Sequence, residues 1–542
     1  MDKVKIYYNN KFYEYPKGIK LLDVAKDFQK DFKYPILVGI VNEYSVTLDF
    51  EIREDSKVKF YDISSQKGYR AYERTAIIVL VKAVKDILNK EVKIEHSIDR
   101  GIYCTIDGLK EEDIEKISNK MKEIVCASIP IEKLSVNRLK VIEYFRKLHD
   151  DNASVFKYMT KNNVTLYKID NMYDYIFGKI CVNTSYLDNF KLEYIGNNGF
   201  VLMLPFIYDN MRVNDYTHHE KFFNSVLDYI NWTDKIGIKS FVDLNLKLSE
   251  GKWNDMVFMS EASYNKSLLD IVEKIDDKIK LILIAGPSSS GKTTTANKLK
   301  LFLNGRGYKP VMLSTDDYFK ERDETPLDEN GNKDYESVNA IDIDLFNKQL
   351  KDLIDGKEVT IPTFNFITGK KEYKKKLQLD KDGILVIEGL HTLNDVLTES
   401  IERDKKYKIY ISPLTGLNVD DHNRLNSTDS RLLRRMVRDN LKRGYNASHT
   451  LSTWDSVRAG ETKYVFPYQD EADIVLNTSL IYEMAVLKVF AEPLLFSVDE
   501  RDPNYSEAIR LIGILKLILP MPSEGIPLDS VLREFIGGSC FE

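Results

Sequence analysis

Hydrophobic and polar positions follow a two-residue period at the start of the chain. Residues 1–62 alternate in VKIYY and KFYEY, contain one helical pattern, LLDVAKDF, and end with the apolar runs PILVGIVN and VKFYDI. Alternation is typical of half-buried strands, so this order predicts a small mixed sheet crossed by one helix.

Two further regions follow with different patterns. Residues 63–250 begin with the long helical pattern RAYERTAIIVLVKAVKDIL and continue as a mixed α+β region. Residues 260–500 alternate helical stretches with short β-rich runs, which are LILIAG, PVMLST, GILVIEG, YKIYIS and ADIVLNT. Strands separated by helices predict an α/β domain with a mostly parallel sheet and helices on both faces. Residues 501–542 are predicted to form a C-terminal helical extension.

The composition fits several folded domains. A chain of 542 residues is too long for one core, and 43% hydrophobic with 30% charged residues argues against wholesale disorder. The net charge of −6 gives no general attraction to nucleic acid. Because no apolar run could span a bilayer and the N-terminus lacks the apolar stretch of a signal peptide, we expect a cytoplasmic protein with no membrane partner. The widely spaced cysteines predict reduced thiols; they are Cys104, Cys126, Cys181 and Cys540.

The stretch LILIAGPSSSGKTTTA combines a β-rich run, a glycine-containing loop and a helical pattern. In the spacing G-x-x-x-x-G-K-T, Gly286 and Gly291 let backbone N–H groups surround phosphate oxygens, and the following helix adds its positive end. Lys292 can reach the β- and γ-phosphates, and the Thr293 hydroxyl can bind Mg²⁺. A surface turn before a helix is the alternative. The predicted ATP-binding residues of this phosphate-binding loop are Gly286, Pro287, Ser288, Ser289, Ser290, Gly291, Lys292, Thr293 and Thr294.

Two carboxylates follow β-rich runs of the same α/β region. Because ligands of parallel sheets bind beyond the carboxyl ends of the strands, Asp316 in LSTDDYF can face the phosphates and accept a proton from an attacking hydroxyl. Asp316 and Lys292 are therefore predicted to be catalytic, and a helix N-cap is the alternative for Asp316. Glu388 in LVIEG is predicted to hold Mg²⁺ with Thr293 and Asp316, with a solvated glutamate as the alternative.

A basic helical segment, DSRLLRRMVRDNLKRG, lies further along the chain. Most of its cations share one helix face, which is typical of a solvated surface, a nucleic-acid contact or a phosphate-binding lid. In an ATP-binding domain we favour a lid whose arginines neutralise charge on the transferred phosphoryl group. The residues concerned are Arg431, Arg434, Arg435, Arg438, Lys442 and Arg443.

Six motifs occur in one order: GPSSSGKTT, LSTDDYF, DYESVNAID, PTFNFITGKK, VIEGLH and DSRLLRRMVRDNLKRG. This order, over residues 280–490, resembles the uridine kinase branch of the uridine kinase and phosphoribulokinase family. The resemblance implies that Asp316 is the catalytic aspartate and that Glu336 hydrogen-bonds ribose hydroxyls, a role for which a carboxylate is suited.

The same resemblance implies roles for further side chains. Arg438 and Arg443 are expected to bind ATP, and Arg435 to contact the substrate. Phe364 and Phe366, which alternate in PTFNF, are expected to stack on a base, with ordinary core packing as the alternative.

Two positions depart from the family pattern. The family carries a histidine that contacts the pyrimidine where this chain has Gly369, and it continues Arg-Gly-Arg where this chain has Tyr445 after Arg443 and Gly444. Both changes remove hydrogen-bond donors, and a site with fewer donors discriminates less between bases.

The first two regions resemble modules of threonyl-tRNA synthetases. GIKLLDVA and the late apolar run of residues 1–62 resemble a TGS-type β-grasp domain, with a generic ubiquitin-like scaffold as the alternative. Residues 63–250 resemble the synthetase editing domain, through their long first helix, EEDIEKISNKMKEIV and GKICVNTSYLDNFKLEYI. The histidines of that domain are replaced by Ile78, Lys82 and Ser185, so we expect a scaffold or sensor without metal or hydrolytic chemistry.

Together these features predict an enzyme that uses ATP and Mg²⁺ to phosphorylate the 5′-hydroxyl of a nucleoside, with uridine or cytidine as the expected substrate. One alternative is a kinase of another hydroxylated metabolite. Another is an ATP-binding regulator that senses RNA or an amino acid through its synthetase-like domains. Residues 1–250 lack a basic stripe, which argues against RNA, so nucleic acid is kept only as a partner of those domains. Association into a homo-oligomer is left open.

Overall fold

The computed structural model of the protein describes residues 2–148, 151–327, 331, 333–365, 368–414 and 416–541. Within these ranges the chain forms an N-terminal mixed sheet, a middle α+β region and a C-terminal region built on a parallel sheet.

The N-terminal region contains seven strands and one helix, which are β1 (Lys3–Tyr8), β2 (Lys11–Pro16), β3 (Ile19–Lys20), α1 (Leu21–Phe28), β4 (Ile36–Val41), β5 (Tyr44–Thr47), β6 (Glu51–Ile52) and β7 (Ser56–Asp62). Five strands form a sheet in the order β2-β1-β7-β4-β5, in which β1 and β7 are parallel and the other pairs are antiparallel. α1 buries Leu21, Val24, Ala25 and Phe28. The prediction of a mixed sheet with one helix is confirmed, and the TGS-type identity stays a prediction.

The described part of the middle region contains six α-helices and seven strands, which are α2 (Gln66–Leu88), β8 (Lys93–Ile98), β9 (Gly101–Thr105), α3 (Glu111–Cys126), β10 (Ile131–Asn137), α4 (Arg138–Lys147), β11 (Asn163–Ile169), β12 (Met172–Asp174), β13 (Lys191–Gly196), β14 (Gly199–Met203), α5 (Glu220–Ile236), α6 (Phe241–Ser249) and α7 (Trp253–Val272). They make two antiparallel sheets, β13-β14-β9-β8 and β10-β11-β12.

The positions expected for editing-domain ligands lie on α2 and near Cys181. Lys82 is buried and pairs with Asp86 and Asp170. The Cys181 N–H donates to the Thr75 hydroxyl at 2.9 Å. Thr75 of α2 is therefore the neighbour of Cys181.

The C-terminal region contains β15 (Leu281–Ala285), α8 (Lys292–Gly305), β16 (Lys309–Ser314), α9 (Ile343–Ile354), β17 (Val359–Asn365), β18 (Lys370–Leu377), β19 (Gly383–Glu388), β20 (Lys406–Ser412), α10 (Ser427–Arg443), α11 (Ala447–Tyr464), β21 (Ile474–Asn477), α12 (Glu483–Phe496), α13 (Tyr505–Leu515) and α14 (Arg533–Ile536). Five strands form the central sheet in the order β16-β19-β15-β20-β21, and every neighbouring pair is parallel. The predicted parallel sheet is confirmed.

One apolar cluster connects the C-terminal region to its neighbours in sequence. It includes Ile284 of β15 and Leu299 of α8, but also Leu166 of β11 and Leu511 of α13, each at most 4% exposed. Because burial of apolar surface is the main stabilising term in folding, these segments support the parallel sheet together.

The helices and the cysteines can each be compared with the expectations from the sequence. Across the residues described above, no helix combines the length and the apolar character that crossing a bilayer requires. The cysteines carry free thiols; Cys104 and Cys181 are buried, whereas Cys126 and Cys540 are exposed.

Candidate functional site

Three neighbouring strands of the parallel sheet end at one edge and carry the predicted site. β15 leads into the phosphate-binding loop, and its Ile284 pairs with Glu388 of β19. Glu388 in turn pairs with Ser314 of β16, two residues before Asp316. Desolvation raises the pKa of both Asp316 and Glu388, and the charge of Lys292 offsets part of each rise, so the cation acts on both carboxylates.

The phosphate-binding loop has a backbone conformation suited to an anion. Ser289 and Gly291 have positive φ angles of 59° and 89°. Lys292 begins α8, and its Nζ donates to the carbonyl oxygens of Gly286 and Pro287 at 3.0 and 3.2 Å. A lysine held over its own loop in this way can exchange these carbonyl groups for phosphate oxygens.

Two serine hydroxyls of the loop are buried without a partner. The Oγ atoms of Ser289 and Ser290 make no hydrogen bond to any residue that the structure describes. Unsatisfied buried polar atoms are costly in a folded protein, and they often indicate a binding site. Thr293, by contrast, is exposed at the start of α8, where its hydroxyl is accessible to a ligand.

A buried ion pair supports the loop from behind. Arg431 of α10 and Glu461 of α11 are 2% and 0% exposed, and they form two hydrogen bonds of 2.6 and 2.8 Å. Glu461 also accepts a hydrogen bond from the Ser288 N–H at 2.8 Å, while Arg431 donates to the Ser288 carbonyl oxygen at 3.1 Å. The pair therefore fixes both backbone polar groups of Ser288.

Arg434 provides a second support and corrects part of the predicted lid. It is 0% exposed, pairs with Glu483 and donates to the carbonyl oxygen of Thr478 at 2.9 Å. The Thr478 hydroxyl donates to the carbonyl oxygen of Ser290 at 2.7 Å. The sequence predicted Arg434 and Arg431 on an exposed lid face. The structure buries both beneath the loop, because each has a buried glutamate partner.

The arginines that the family resemblance singled out lie further along α10, and Arg435 and Arg438 follow Arg431 and Arg434 by one helical turn. All three pair with the buried Asp439; they are Arg435 at 3.3 Å, Arg438 at 2.8 Å and Arg443 at 3.4 Å. Arg435 also donates to the Ser288 hydroxyl at 2.8 Å. Desolvation raises the pKa of Asp316, and the positive charges of Arg443 and Arg438 offset part of that rise, so they act on the predicted base.

Asp316 lies in a short 3₁₀ turn but does not cap it. Ser314 is the N-cap residue, and its hydroxyl oxygen accepts a hydrogen bond from the Asp316 N–H at 3.3 Å. The same hydroxyl donates to Glu388 Oε1 at 2.9 Å. Ser314 therefore joins two strand ends, and the Asp316 carboxylate has no capping role.

The carboxyl groups of Asp316 and Glu388 bind protons more tightly than free side chains do. The Asp316 side chain is exposed at the surface of the site, but the protein around the site raises its pKa by desolvation, and Lys292 offsets part of that rise. Burial, followed by the negative charge of Asp316, raises the pKa of Glu388 to about 7. A cation bound beside them would lower both pKa values.

These donors fit Mg²⁺ bound partly through a nucleotide. Thr293, Asp316 and Glu388 offer hydroxyl and carboxylate oxygens, which are the ligands that Mg²⁺ prefers. Within the described ranges, no group of three or more His, Cys, Asp or Glu side chains is placed to enclose a metal. Mg²⁺ in kinases is commonly held by one or two carboxylates together with substrate phosphates, so a complete protein cage is not required.

Glu336, the predicted ribose ligand, belongs to the same electrostatic site. It packs against α11 at Gly460, where an added Cβ would lie 2.6 Å from the Glu336 Cβ. Burial and then the charge of Glu461 raise the pKa of Glu336 to about 7, while Arg435 and Lys292 lower it. Glycine at 460 therefore permits the close approach of Glu336 to the helix.

The aromatic pair of PTFNF is described only in part. Phe364 is 9% exposed, and its ring centroid lies 5.8 Å from that of Phe319, which follows the Asp316 turn. Phe364 therefore packs against the loop that carries the predicted base. Phe366 lies outside the described residues.

The two positions that depart from the family pattern differ in their surroundings. Gly369 has φ of 70°, and an added Cβ would lie 2.9 Å from the Arg322 Cβ, so a histidine side chain does not fit there. Tyr445 is 44% exposed, and its ring centroid lies 4.3 Å from that of His449.

Two residues near the site were not found from the sequence. Glu461 lies 30 residues after Arg431 in an ordinary helical pattern, which gives no signal for its role under the loop. His391 follows the Glu388 strand end and is 3% exposed; burial lowers its pKa to about 4. The Nδ1 atom of His391 has no hydrogen-bond partner among the described residues. The only sequence signal for His391 was its position in the motif VIEGLH, three residues after Glu388.

Comparison with known proteins gives matches that centre on the C-terminal region. A family model described as the Phosphoribulokinase / Uridine kinase family matches residues 281–481. The uridine kinases of Staphylococcus epidermidis and Staphylococcus aureus are each 29% identical over 198 residues, which is 36% of this chain and 86% of the relative.

Two solved structures of kinases also match. The phosphoribulokinase from Rhodobacter spheroides is 16% identical with a TM-score of 0.25, and the match covers 37% of this chain and 70% of that one. The D-glycerate 3-kinase from Cryptococcus neoformans is 14% identical with a TM-score of 0.21, over 49% of this chain and 88% of that one.

Proposed function

We propose that residues 281–481, which form a P-loop kinase domain of the phosphoribulokinase and uridine kinase family, transfer the γ-phosphoryl group of ATP to the 5′-hydroxyl of a nucleoside. Uridine or cytidine is the preferred acceptor, and the products are a nucleoside 5′-monophosphate and ADP. The observation that carries this proposal is the meeting of Lys292, Asp316 and Glu388 at one edge of the parallel sheet.

Asp316 is the general base of the proposed reaction. It accepts the proton of the acceptor hydroxyl while that oxygen forms a bond to the γ-phosphorus, and the bond from this phosphorus to the bridging oxygen of ADP breaks. The base must be ionised to accept a proton. Because desolvation raises the pKa of Asp316, turnover is expected to rise with pH until this group is fully ionised.

The remaining groups hold the reactants. Lys292 and the backbone of the phosphate-binding loop bind the phosphates, and Arg438 and Arg443 add positive charge from α10. Mg²⁺ bound by Thr293 and Glu388 would neutralise charge on the phosphates. Positioning and charge neutralisation supply most of the catalysis in phosphoryl transfer.

Glu336 supports a ribose-containing acceptor. A carboxylate can accept hydrogen bonds from two vicinal hydroxyls, and these would orient the 5′-hydroxyl toward ATP. Gly369 and Tyr445 supply fewer donors to a base than the family pattern does. A kinase of another hydroxylated metabolite is therefore the second candidate.

The test is an ATP-consumption screen with the full chain and Mg²⁺ over nucleosides, sugars and sugar phosphates. We expect uridine or cytidine to stimulate ADP release, and 5′-deoxyuridine, which lacks the acceptor hydroxyl, to give none. Asp316→Asn should reduce kcat by about a hundredfold or more while ATP still binds.

Two outcomes would contradict the proposal. Stimulation by sugars alone would assign a different acceptor, and near-normal turnover of Asp316→Asn would remove this residue from the base role. Glu324→Gln is the matched control, because Glu324 is an exposed carboxylate close to Asp316 in sequence. It should retain the turnover of the wild type.

A further inference from the structure

The C-terminal segment, residues 521–541, packs directly on the phosphate-binding loop. Val531, Leu532 and Phe535 are 0% exposed and belong to the same apolar cluster as the sheet. Val531 lies so close to Gly291 that a Cβ atom at the glycine would clash with the valine Cγ2. The end of the chain thus reaches the residues that are expected to surround phosphate.

A carboxylate of this segment accepts a hydrogen bond from a backbone N–H group of the predicted phosphate site. Glu534 of α14 accepts a hydrogen bond from the Thr294 N–H through its Oε2 atom, at 3.0 Å. Thr294 lies in the first turn of α8, where backbone N–H groups have no partner within the helix. In a phosphate-binding loop these N–H groups, together with the positive end of the helix, are the ones that receive an anionic ligand.

The structure shows no neutralising side chain beside this carboxylate within the described ranges. No cation there forms an ion pair with Glu534, and Lys292 donates to loop carbonyl groups instead. The N-terminal end of α8 is therefore the partner of this carboxylate, as it would be of a phosphate.

The rest of the segment is fastened independently of Glu534. Asp529 pairs with Lys298 of α8 at 2.8 Å, and Ser530 lies within hydrogen-bond distance of the Tyr482 hydroxyl, at 3.3 Å. Arg533 donates to two backbone carbonyl groups of the segment itself. The Glu534 side chain can thus rotate away while the buried part of the segment stays in place.

We propose that Glu534 is an autoinhibitory surrogate for a nucleotide phosphate. In the ligand-free protein its carboxylate holds the Thr294 N–H, and a nucleotide must displace it before its own phosphate can bind there. The inference rests on the proposed function, because it assumes that the loop binds ATP. It adds that the C-terminal segment lowers the affinity for nucleotides.

The test is calorimetric titration of the full chain with ATP, ADP and adenosine, without an acceptor. Glu534→Gln keeps the size of the side chain and removes its charge, so it should bind ATP and ADP about fivefold or more tightly than the wild type. Adenosine has no phosphate and should bind equally to both proteins. Glu524→Gln, a change at an exposed carboxylate of the same segment, should behave like the wild type.

A second variant separates charge from shape. Glu534→Asp keeps the charge and should retain the weaker binding of the wild type, and thermal unfolding shows whether each variant is folded. If Glu534→Gln binds ATP no better or more weakly than the wild type, the inference is wrong even when the kinase reaction proceeds. If neither the wild type nor the variants bind ATP, the proposed function fails as well.

Discussion

At the scale of single residues, the chemistry of the site depends on two neighbouring carboxyl groups, those of Asp316 and Glu388. Ser314 bridges the backbone of Asp316 and the carboxylate of Glu388, so the two acids cannot separate easily. Desolvation raises the pKa of both carboxyl groups, the charge of Asp316 raises that of Glu388 further, and Lys292 offsets only part of these effects. Such a site stores unfavourable electrostatic energy until a cation and a nucleotide bind.

Glu388→Gln tests this interpretation through stability. The pKa of Glu388 is raised to about 7, so the folded state binds the proton more tightly than the unfolded state. The stabilising contribution of the protonated group is complete below the ordinary pKa and is lost as the pH rises through about 7. Glutamine does not ionise. The variant should therefore melt at a higher temperature than the wild type at pH 8 and at nearly the same temperature at pH 5, in the absence of nucleotide.

The same variant should lose most Mg²⁺-dependent turnover, because one of the proposed metal ligands is gone. Glu324→Gln serves as the control and should shift neither the melting temperature nor its pH dependence. A Glu388→Gln protein that is less stable than the wild type at both pH values would show that the carboxylate is favourably placed, contrary to our interpretation.

At the scale of elements, α10 combines two functions on successive turns. Its first turns carry Arg431 and Arg434, which hold the phosphate-binding loop through buried glutamates. The next turn carries Arg435 and Arg438, which pair with Asp439. A movement of this helix would therefore change the loop and the charge at the predicted base together.

Glu461→Gln should weaken both the fold and the loop. It leaves Arg431 buried with an incomplete partner, so we expect a loss of unfolding free energy of about 3 kcal/mol, measured by urea denaturation. It should also weaken ATP binding, because the Ser288 N–H loses a charged acceptor. Glu14→Gln, which changes the exposed pair of Lys3 and Glu14, should leave the free energy of unfolding nearly unchanged, because solvent screens such pairs.

A double variant separates these two effects. Arg431→Met with Glu461→Leu removes both buried charges and should recover much of the stability, as apolar replacements of buried pairs often do. It should not recover ATP affinity, because Ser288 has then lost both supports. Full recovery of binding would show that the pair has only a structural role.

At the scale of the whole molecule, charged networks connect the middle region to the C-terminal region. Arg70 of α2 pairs with Glu507 of α13 at 2.8 Å, and Arg510 pairs with both Glu507 and Asp429 of α10. Burial by itself would raise the pKa of Glu507, but Arg510 and Arg70 outweigh it and hold the pKa well below its ordinary value. The network thus connects α2 of the middle region to α10, the helix that supports the phosphate-binding loop.

Arg70→Met should loosen this connection in a pH-dependent way. Because the pKa of Glu507 is lowered in the folded state, its contribution to stability is present above the ordinary value and is lost as the pH falls through the folded pKa. We expect the variant to be about 2 kcal/mol less stable than the wild type at pH 7, with a smaller difference at acidic pH. Thermal unfolding at pH 7 and at acidic pH measures the difference in stability between the variant and the wild type under both conditions.

Arg53→Met is the control for Arg70→Met, because the ion pair of Arg53 with Glu51 is exposed. It should change stability by less than about 1 kcal/mol at any pH. A difference between Arg70→Met and the wild type that stays constant with pH would argue against an electrostatic connection through Glu507.

The local pattern of the chain was sufficient to predict the helices and strands of the parallel-sheet region. It also indicated the site residues that follow the strands. Alternation and helical spacing are short-range features, so they predicted the strands of the parallel sheet and the loop between β15 and α8. Because parallel strands end at a common edge, the positions of Asp316 and Glu388 after two such strands also placed them together.

Partners that lie far apart in sequence were decided only by the tertiary structure. Arg431 and Arg434 share a helical spacing with the other arginines of α10, and nothing local distinguishes them; their burial depends on Glu461 and Glu483, which other helices supply. The contact of Glu534 with Thr294 spans 240 residues. Periodicity reports which face of an element is buried, whereas the partner on that face is fixed by the packing of the whole chain.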